Sequence, residues 1–234
     1  MLVYIDLKST GFEANDRICG IDFIVFGEDI QYHHELIKAP KKIRPEASAL
    51  HHITNEMVKE KLTFQDSNSV KLLQLSNNSE NIFIGHNIKF IMAMLEKEGF
   101  FLQAGVVDTL RCARALIPEC EQFSLQYLRY DLKLYKDENL LAQKLEIDTQ
   151  SSLGDALHVR LLHAYLNELC GDEKLLEISV NPVLIEKLNF GKYKGSYIEE
   201  IVMNDRNYLI WLINNLDTID EDLLYSIQHY LGRY

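Results

Sequence analysis

The sequence contains no long apolar run. None approaches the roughly 18 residues that a membrane-spanning helix needs, and Asp6 interrupts the first apolar run, so no signal peptide is expected. CxxC spacing is also absent, and the cysteines are scattered at positions 19, 112, 120 and 170. They are expected to be reduced core thiols. The chain is therefore predicted to be cytoplasmic and to have no membrane partner.

An excess of basic residues is also lacking. Lysine and arginine number 24 against 35 aspartate and glutamate residues, which gives a formal net charge of −11. Proteins that bind nucleic acid by neutralising many phosphates are usually basic, because counterion release supplies most of the non-specific affinity. Any nucleic-acid contact is therefore expected to be a small pocket. An acidic surface equally suits a protein partner.

The composition is that of a globular chain that buries a core, with 47% hydrophobic and 25% charged residues. Its 234 residues suit one large domain, or a medium domain with a small appendage. The apolar run 2–5 is predicted to form a buried strand that ends at Asp6, before Gly11 turns the chain. Two further predicted strands, 17–26 and 30–37, indicate an antiparallel meander.

Three segments place polar side chains where predicted strands end or helices begin. The first is the turn 6–12, which follows the first strand. The second is Gly85-His86-Asn87, between a predicted strand at 81–84 and a helix. In the third, Asp155 opens a long helix. Asp108 ends a further strand and is predicted to cap the next helix, which is a structural role.

These segments resemble the three motifs of the DEDDh exonucleases, the family of the epsilon proofreading subunit of DNA polymerase III and of RNase T. The family motifs read Asp-x-Glu-Thr-Thr-Gly, Gly-His-Asn-x-x-Phe-Asp and His-x-Ala-x-x-Asp. The resemblance covers essentially the whole chain in order. It implies an α/β, ribonuclease H-like exonuclease fold with a mixed central sheet flanked by helices. The implied domains are residues 1–172 and a small, mostly helical C-terminal module at 181–234.

The resemblance implies a 3′–5′ exonuclease site in which four carboxylates hold two divalent ions and a histidine accepts a proton from water. Asp6 and Asp155 match retained positions, whereas Lys8, Ile91 and Gln150 replace a glutamate, an aspartate and the histidine. Two carboxylates beside an ammonium suit magnesium poorly, and neither Ile91 nor Gln150 supplies the missing ligand or base. The sequence therefore predicts a pseudoenzyme, inactive or strongly impaired and without a metal cofactor. Mg²⁺ or Mn²⁺ would be expected, at Asp6 and Asp155, only if activity survives.

The residues in and next to the first two motif segments favour binding of a single-stranded nucleic-acid 3′ end. Phe12 is expected to act as a stacking wedge. The candidate binding residues are Ser9, Thr10, Gly11, Phe12, His86, Asn87 and Phe90.

Lys8 is predicted to take the place of a metal ion. Residues 6 and 8 share one face of a strand, so the Lys8 amine should lie within salt-bridge distance of Asp6 or Asp155. An ammonium there relieves the repulsion between two carboxylates and should itself stay protonated. His158 follows Asp155 by close to one helical turn and is expected to point elsewhere, so it should not replace the missing base.

The C-terminal module carries the signature 188–195, Leu-Asn-Phe-Gly-Lys-Tyr-Lys-Gly, followed by three predicted short amphipathic helices. It resembles a small domain that is appended to some bacterial exonucleases of this family. In the favoured interpretation, Phe190 and Tyr193 pack on Trp211, because aromatic clusters in small domains are mostly core. In the other, the aromatic and lysine residues contact nucleic acid.

Three functions remain open on the sequence alone. The first is non-catalytic binding of a nucleic-acid 3′ end. The second is an interaction subunit for a protein partner such as a polymerase or a repair factor. The third is an active, metal-dependent 3′–5′ exonuclease that acts on DNA or RNA.

Overall fold

The first apolar run forms the central strand of a five-stranded mixed sheet. The computed structural model describes residues 1–148, 154–216 and 219–233. The strands are β1 (Leu2–Ser9), β2 (Ile18–Phe26), β3 (Ile30–Leu36), β4 (Ile82–Gly85) and β5 (Gly105–Asp108). Their order is β3-β2-β1-β4-β5, with β1 antiparallel to β2 and parallel to β4. The predicted meander and mixed sheet are confirmed.

Helices cover both faces of this sheet. They are α1 (Pro45–His51), α2 (Asn55–Val58), α3 (Asn68–Leu75), α4 (Ile88–Lys97), α5 (Thr109–Leu116), α6 (Leu125–Asp131), α7 (Glu138–Leu145), α8 (Asp155–Cys170), α9 (Asp172–Val180), α10 (Ile198–Asn215) and α11 (Glu221–Arg233). A short 3₁₀ turn (Leu134–Lys136) joins α6 to α7. Of the helices in the described parts of the chain, none is both long enough and apolar enough to cross a bilayer.

Alternation along β1 separates two hydrophobic layers. Val3, Ile5 and Leu7 pack with residues of α3 and α4 on one face. Tyr4 packs with residues of α5, α8 and α9 on the other. Successive side chains of a strand point to opposite faces, so Asp6 and Lys8 lie on the face of Tyr4, beneath α8. This arrangement brings the first turn of α8 over the end of β1.

Asp108 fixes the starts of two helices at the sheet edge. Its carboxylate accepts hydrogen bonds from the backbone N–H groups of Leu110 (2.9 Å) and Arg111 (3.4 Å) in α5, as predicted. It also accepts from those of Asn87 (3.0 Å) and Ile88 (3.1 Å) at the start of α4. One carboxylate therefore satisfies N–H groups that two helix ends would otherwise leave unpaired.

The C-terminal helices have their own hydrophobic cluster. Its buried members are Leu188, Ile198, Ile201, Val202, Leu209, Leu212, Leu223, Ile227 and Tyr230. The three predicted helices correspond to the two parts of α10, which are separated by the non-helical residue Asp205, and to α11. Tyr193 packs edge-on against Tyr208, with ring centroids 5.0 Å apart, whereas Trp211 is 53% exposed. Phe190 and Tyr193 pack against this hydrophobic cluster, as the favoured interpretation expects, but the ring that Tyr193 contacts among the described residues is Tyr208 and not Trp211.

A buried ion pair joins these helices to the rest of the chain. The Arg111 guanidinium donates to Asp222 through Nε (3.0 Å) and Nη2 (2.5 Å). It also donates to the backbone carbonyls of Ser179 (2.9 Å) and Asn181 (2.6 Å). Asp222 in turn accepts from the backbone N–H of Val183 (3.0 Å). The connection between α9 and the C-terminal helices is thus held by one arginine of α5.

Candidate functional site

The amine of Lys8 lies between two carboxylates at the end of β1. Its Nζ is 2.6 Å from Asp6 Oδ2, and it forms a second ion pair with Asp155 Oδ2 on the first turn of α8. All three side chains are mostly buried. The predicted salt bridge is confirmed, and the amine contacts both aspartates.

Asp22 is a third carboxylate at this place, and sequence reasoning missed it. It lies on β2 directly opposite Asp6 and is fully buried. Its Oδ2 accepts a hydrogen bond from the backbone N–H of Ala156 (2.8 Å), while its Oδ1 is buried without a hydrogen-bond partner among the described residues. The only signal in the sequence is an aspartate inside an otherwise apolar strand.

Burial and the neighbouring charges shift the titration of these groups in different directions. Burial raises the pKa of Asp22 well above its usual range, and repulsion by Asp6 adds to the effect. Burial opposes ionisation of Asp155, but hydrogen bonds from His158 and Lys8 hold its pKa well below the ordinary value. Burial opposes the charge on Lys8, yet Asp6 and Asp155 raise its pKa overall. The cluster therefore contains a stable ammonium, and Asp22 is the carboxylate that keeps its proton most readily.

His158 faces Asp155, contrary to the prediction that it points elsewhere. Its Nδ1 is 3.0 Å from Asp155 Oδ1, and its Nε2 is 3.4 Å from Glu138 Oε2. Side chains of a helix lean back over the preceding turn, which brings position 158 onto the residue three before it. Gln126 also donates to Asp155 Oδ1 (2.7 Å). The ring is buried between Asp155 and Glu138, and its Nε2 has no hydrogen-bond partner among the described residues.

The cleft as built does not fit the two-ion site that the family resemblance implies. The facing oxygens of Asp6 and Asp155 are ion-paired to an ammonium, which a divalent cation would have to displace. Ile91 is buried with Val3 and Ile5, on the face of β1 opposite Asp6. It therefore packs in the hydrophobic layer and not beside Asp6 and Asp155. Within the described residues, no group of three or more His, Cys, Asp or Glu side chains is arranged to hold a metal.

Comparison with known proteins decides the family. The sequence model described as Exonuclease matches residues 3–139, more than half of the chain. The chain belongs to the exonuclease family. A second model, described as Exodeoxyribonuclease X-like C-terminal, matches residues 188–217 of this family member.

One relative matches this exonuclease-family chain over almost its whole length, and two solved structures match about three quarters of it. Exodeoxyribonuclease 10 of Escherichia coli strain K12 is 27% identical over 243 residues, which covers 99% of each chain. Exonuclease X in complex with 5′ overhanging duplex DNA is 21% identical, with a TM-score of 0.60, over 76% of this chain and 99% of that one. E. coli Exonuclease I in complex with a 5cy-dA13 oligonucleotide has a TM-score of 0.53 at 15% identity, over 75% of this chain and 42% of that one. The predicted family and fold are confirmed.

The turn after β1 is held by its own side chains in this family member. Ser9 Oγ donates to the carbonyl of Gly11 (2.6 Å), and Thr10 Oγ1 donates to Asp16 Oδ1 (2.8 Å). A Cβ at Gly11 would lie 2.5 Å from Asp16 Oδ2 and 2.8 Å from the guanidinium of Arg44, so a side chain there would have to displace both groups. Ser9 and Thr10 are buried. Their hydroxyls serve the turn itself, and a role of these residues in binding nucleic acid stays a prediction.

His86 is likewise committed to the fold. Its Nε2–H donates to the carbonyl of Phe123 (2.7 Å), and its Nδ1 is 3.0 Å from the hydroxyl of Thr109. Burial lowers the pKa of His86 to about 4, so the ring is neutral near pH 7. Both ring nitrogens thus have partners within the protein, and a contact of this histidine with nucleic acid stays a prediction.

Two of the predicted binding residues are open to solvent. Phe12 is 64% exposed, and Asn87 is exposed at the start of α4. They follow β1 and β4, which are parallel neighbours, so both lie beyond the same edge of the sheet. Phe90 is partly buried against the core. Gln150 lies outside the described residues.

Replacing Asp22 with asparagine is expected to remove a loss of stability on going from about pH 4 to pH 8. Because the folded state raises the pKa of Asp22, the unfolded chain releases this proton first, and rising pH favours unfolding. An asparagine side chain has no proton to release, yet its oxygen still accepts from Ala156. The advantage of Asp22→Asn in urea unfolding should grow by up to about 1.4 kcal/mol per pH unit. The exposed Asp29→Asn is the control, and equal pH slopes for wild type and Asp22→Asn would contradict the assignment.

Proposed function

We propose that this exonuclease-family chain binds a single-stranded nucleic-acid 3′ end without hydrolysing it. The observation that carries the proposal is the Lys8 amine between Asp6 and Asp155. That amine occupies the place where the resemblance implies a metal ion, and metal ions are the main source of transition-state stabilisation in two-ion hydrolysis.

The edge of the sheet supports binding of a nucleic-acid end. Phe12 and Asn87 offer an exposed ring and an exposed amide beyond neighbouring parallel strands, a common location for ligands in α/β folds. An aromatic ring stacks on any base, and an amide bonds to a base edge or a phosphate. The similar Exonuclease X and Exonuclease I structures hold DNA.

The alternative is an active 3′–5′ exonuclease that uses Mg²⁺ or Mn²⁺. One observation favours it, namely the contact of His158 with Asp155, a place where a general base would be useful. The ring is buried, however, and its second nitrogen faces Glu138. This arrangement suits a fixed structural histidine better than one that receives a proton from water.

A labelled-oligonucleotide assay tests the proposal. The full chain is mixed with 5′-labelled single-stranded DNA or RNA and with Mg²⁺ or Mn²⁺, and E. coli Exonuclease I serves as the positive control. Shortening is expected to be at least about 10⁴-fold slower than in the control, since loss of a base alone costs roughly 10²–10⁴. Lys8→Glu should remain inactive, because Ile91 is unchanged. Time-dependent 3′ shortening that disappears in an Asp6→Ala/Asp155→Ala variant would establish the alternative.

Binding is measured on the same oligonucleotides by fluorescence anisotropy at low and moderate salt. Phe12→Ala/Asn87→Ala should weaken it, whereas Phe101→Ala, which removes another exposed phenylalanine, should not. If the wild-type chain binds no oligonucleotide at either salt concentration, the proposal fails. An interaction subunit for a protein partner then becomes the better hypothesis.

A further inference from the structure

Two exposed tyrosines form a pair next to the cleft. Tyr130 lies in the last turn of α6 and is 58% exposed, while Tyr135 lies in the 3₁₀ turn that follows and is 37% exposed. Their ring centroids are 5.7 Å apart, with an angle of 39° between the ring planes. No hypothesis drawn from the sequence used either residue. Because both tyrosines are exposed to solvent, an aromatic ring of a ligand could stack on them.

The ring of Tyr130 contacts the side chain of a buried arginine, Arg129. The guanidinium of Arg129 lies 5.2 Å from the centre of the Tyr130 ring, a distance at which a cation attracts the ring face. Arg129 is itself buried and fixed by two hydrogen bonds to Glu138, of 2.8 and 2.6 Å. A ring held in this way loses little conformational freedom when a ligand stacks on it.

The same residues connect the tyrosines to the cleft. Arg129 Nη1 is 3.3 Å from Gln126 Oε1, and Gln126 donates to Asp155. Glu138 also contacts His158, whose ring faces Asp155. Gln126 and Tyr130 are four residues apart on α6 and so lie on one face, about one helical turn from each other.

Two lysines lie close to Tyr135 in the chain. Lys133 and Lys136 are exposed, and neither has an acidic partner in an ion pair among the described residues. Asp131 and Asp137 lie in the same segment, so the patch carries little net charge. Its affinity should therefore come from ring stacking with a few phosphate contacts, which suits a short single strand better than a duplex.

We propose that Tyr130 and Tyr135 form a stacking platform for an unpaired base of a single-stranded nucleic acid, with Lys133 and Lys136 at the adjacent phosphates. The platform rests on the proposed function, because it receives the strand whose 3′ end lies at the sheet edge. It adds a second contact a short distance from that end. The ligand class is single-stranded DNA or RNA.

The test uses the full chain and a fluorescent single strand of about 12 nucleotides. Tyr130→Ala/Tyr135→Ala is expected to weaken binding about 10-fold or more, because base–aromatic stacking is lost. Tyr130→Phe/Tyr135→Phe keeps both rings and should bind within about twofold of wild type. Tyr225→Ala, at an exposed tyrosine of α11, is the matched control and should change nothing.

Two further measurements separate stacking from a structural effect. Abasic sites placed a few nucleotides inward of the 3′ end should weaken binding to the wild type but not to the double alanine variant, whereas an abasic 3′-terminal nucleotide should weaken both through Phe12. Lys133→Gln/Lys136→Gln should reduce the slope of log affinity against log salt by about 1.4. If the wild type binds but the double alanine variant binds equally well, the platform is overturned and the proposed function stands. If the wild type binds no single strand, both are overturned.

Discussion

Replacement of Lys8 with methionine is expected to lower the free energy of unfolding by about 3–5 kcal/mol near pH 7. The amine is the cation between Asp6 and Asp155, and methionine keeps most of its volume without its charge. Two buried carboxylates would then face each other and Asp22 with no counterion. Urea unfolding followed by circular dichroism measures the change.

The pH dependence of this loss identifies its cause. Without the ammonium, the pKa of Asp6, which burial already raises, should rise further, and the pKa of Asp155 should rise above its value in the unfolded chain. Stability of the variant should therefore increase as pH falls from about 7 towards 4, and its deficit should shrink. Lys174→Met, which removes an exposed ion pair with Glu177, should show no such trend. A Lys8→Met variant as stable as wild type at neutral pH would refute the role of Lys8 as internal cation.

Replacement of Arg111 with methionine is also expected to cost about 3–5 kcal/mol, because Asp222 would remain buried without its partner. We propose that residues 181–234 form a module with its own core, held to the rest of the chain by this ion pair. In Arg111→Met, limited proteolysis should cut near Val183 faster than in wild type. Urea unfolding should also become less cooperative.

A second substitution tests whether the effect belongs to the pair. Arg111→Met/Asp222→Leu removes both charges and should recover much of the lost stability, since an apolar replacement of a buried pair is often neutral. Lys89→Met breaks an exposed ion pair with Glu221 across the same boundary and should have little effect. If Arg111→Met unfolds with unchanged cooperativity and stability, the ion pair does not hold the module.

Local patterns in the sequence predicted the parts of the site that depend on one element. Alternation along a strand placed Asp6 and Lys8 on one face, and capping preference placed Asp108 at a helix start. Asp22 was missed because its position depends on the register between β1 and β2, which no motif in the sequence specifies. The pairing of β1 with β2 is what places the buried carboxylate of Asp22 opposite Asp6.

Several side-chain contacts at the site do not follow from matching motifs. Thr10 matches a residue of the family motif, yet its hydroxyl is used within the turn. His158 was misjudged because its contact with Asp155 depends on a rotamer and not on spacing alone. Tyr130 and Tyr135 are separated by the end of a helix and a 3₁₀ turn, so no single periodicity brings them together.

The ammonium of Lys8 also limits the single substitutions that this chain can accept. A change of Lys8 to glutamate would place a fourth carboxylate beside Asp6, Asp22 and Asp155, with no cation among them. Such a variant is disfavoured unless a metal ion binds at once or a second position changes with it. A glutamate at position 8 would thus add a carboxylate to the cleft and at the same time lower the stability of the folded chain.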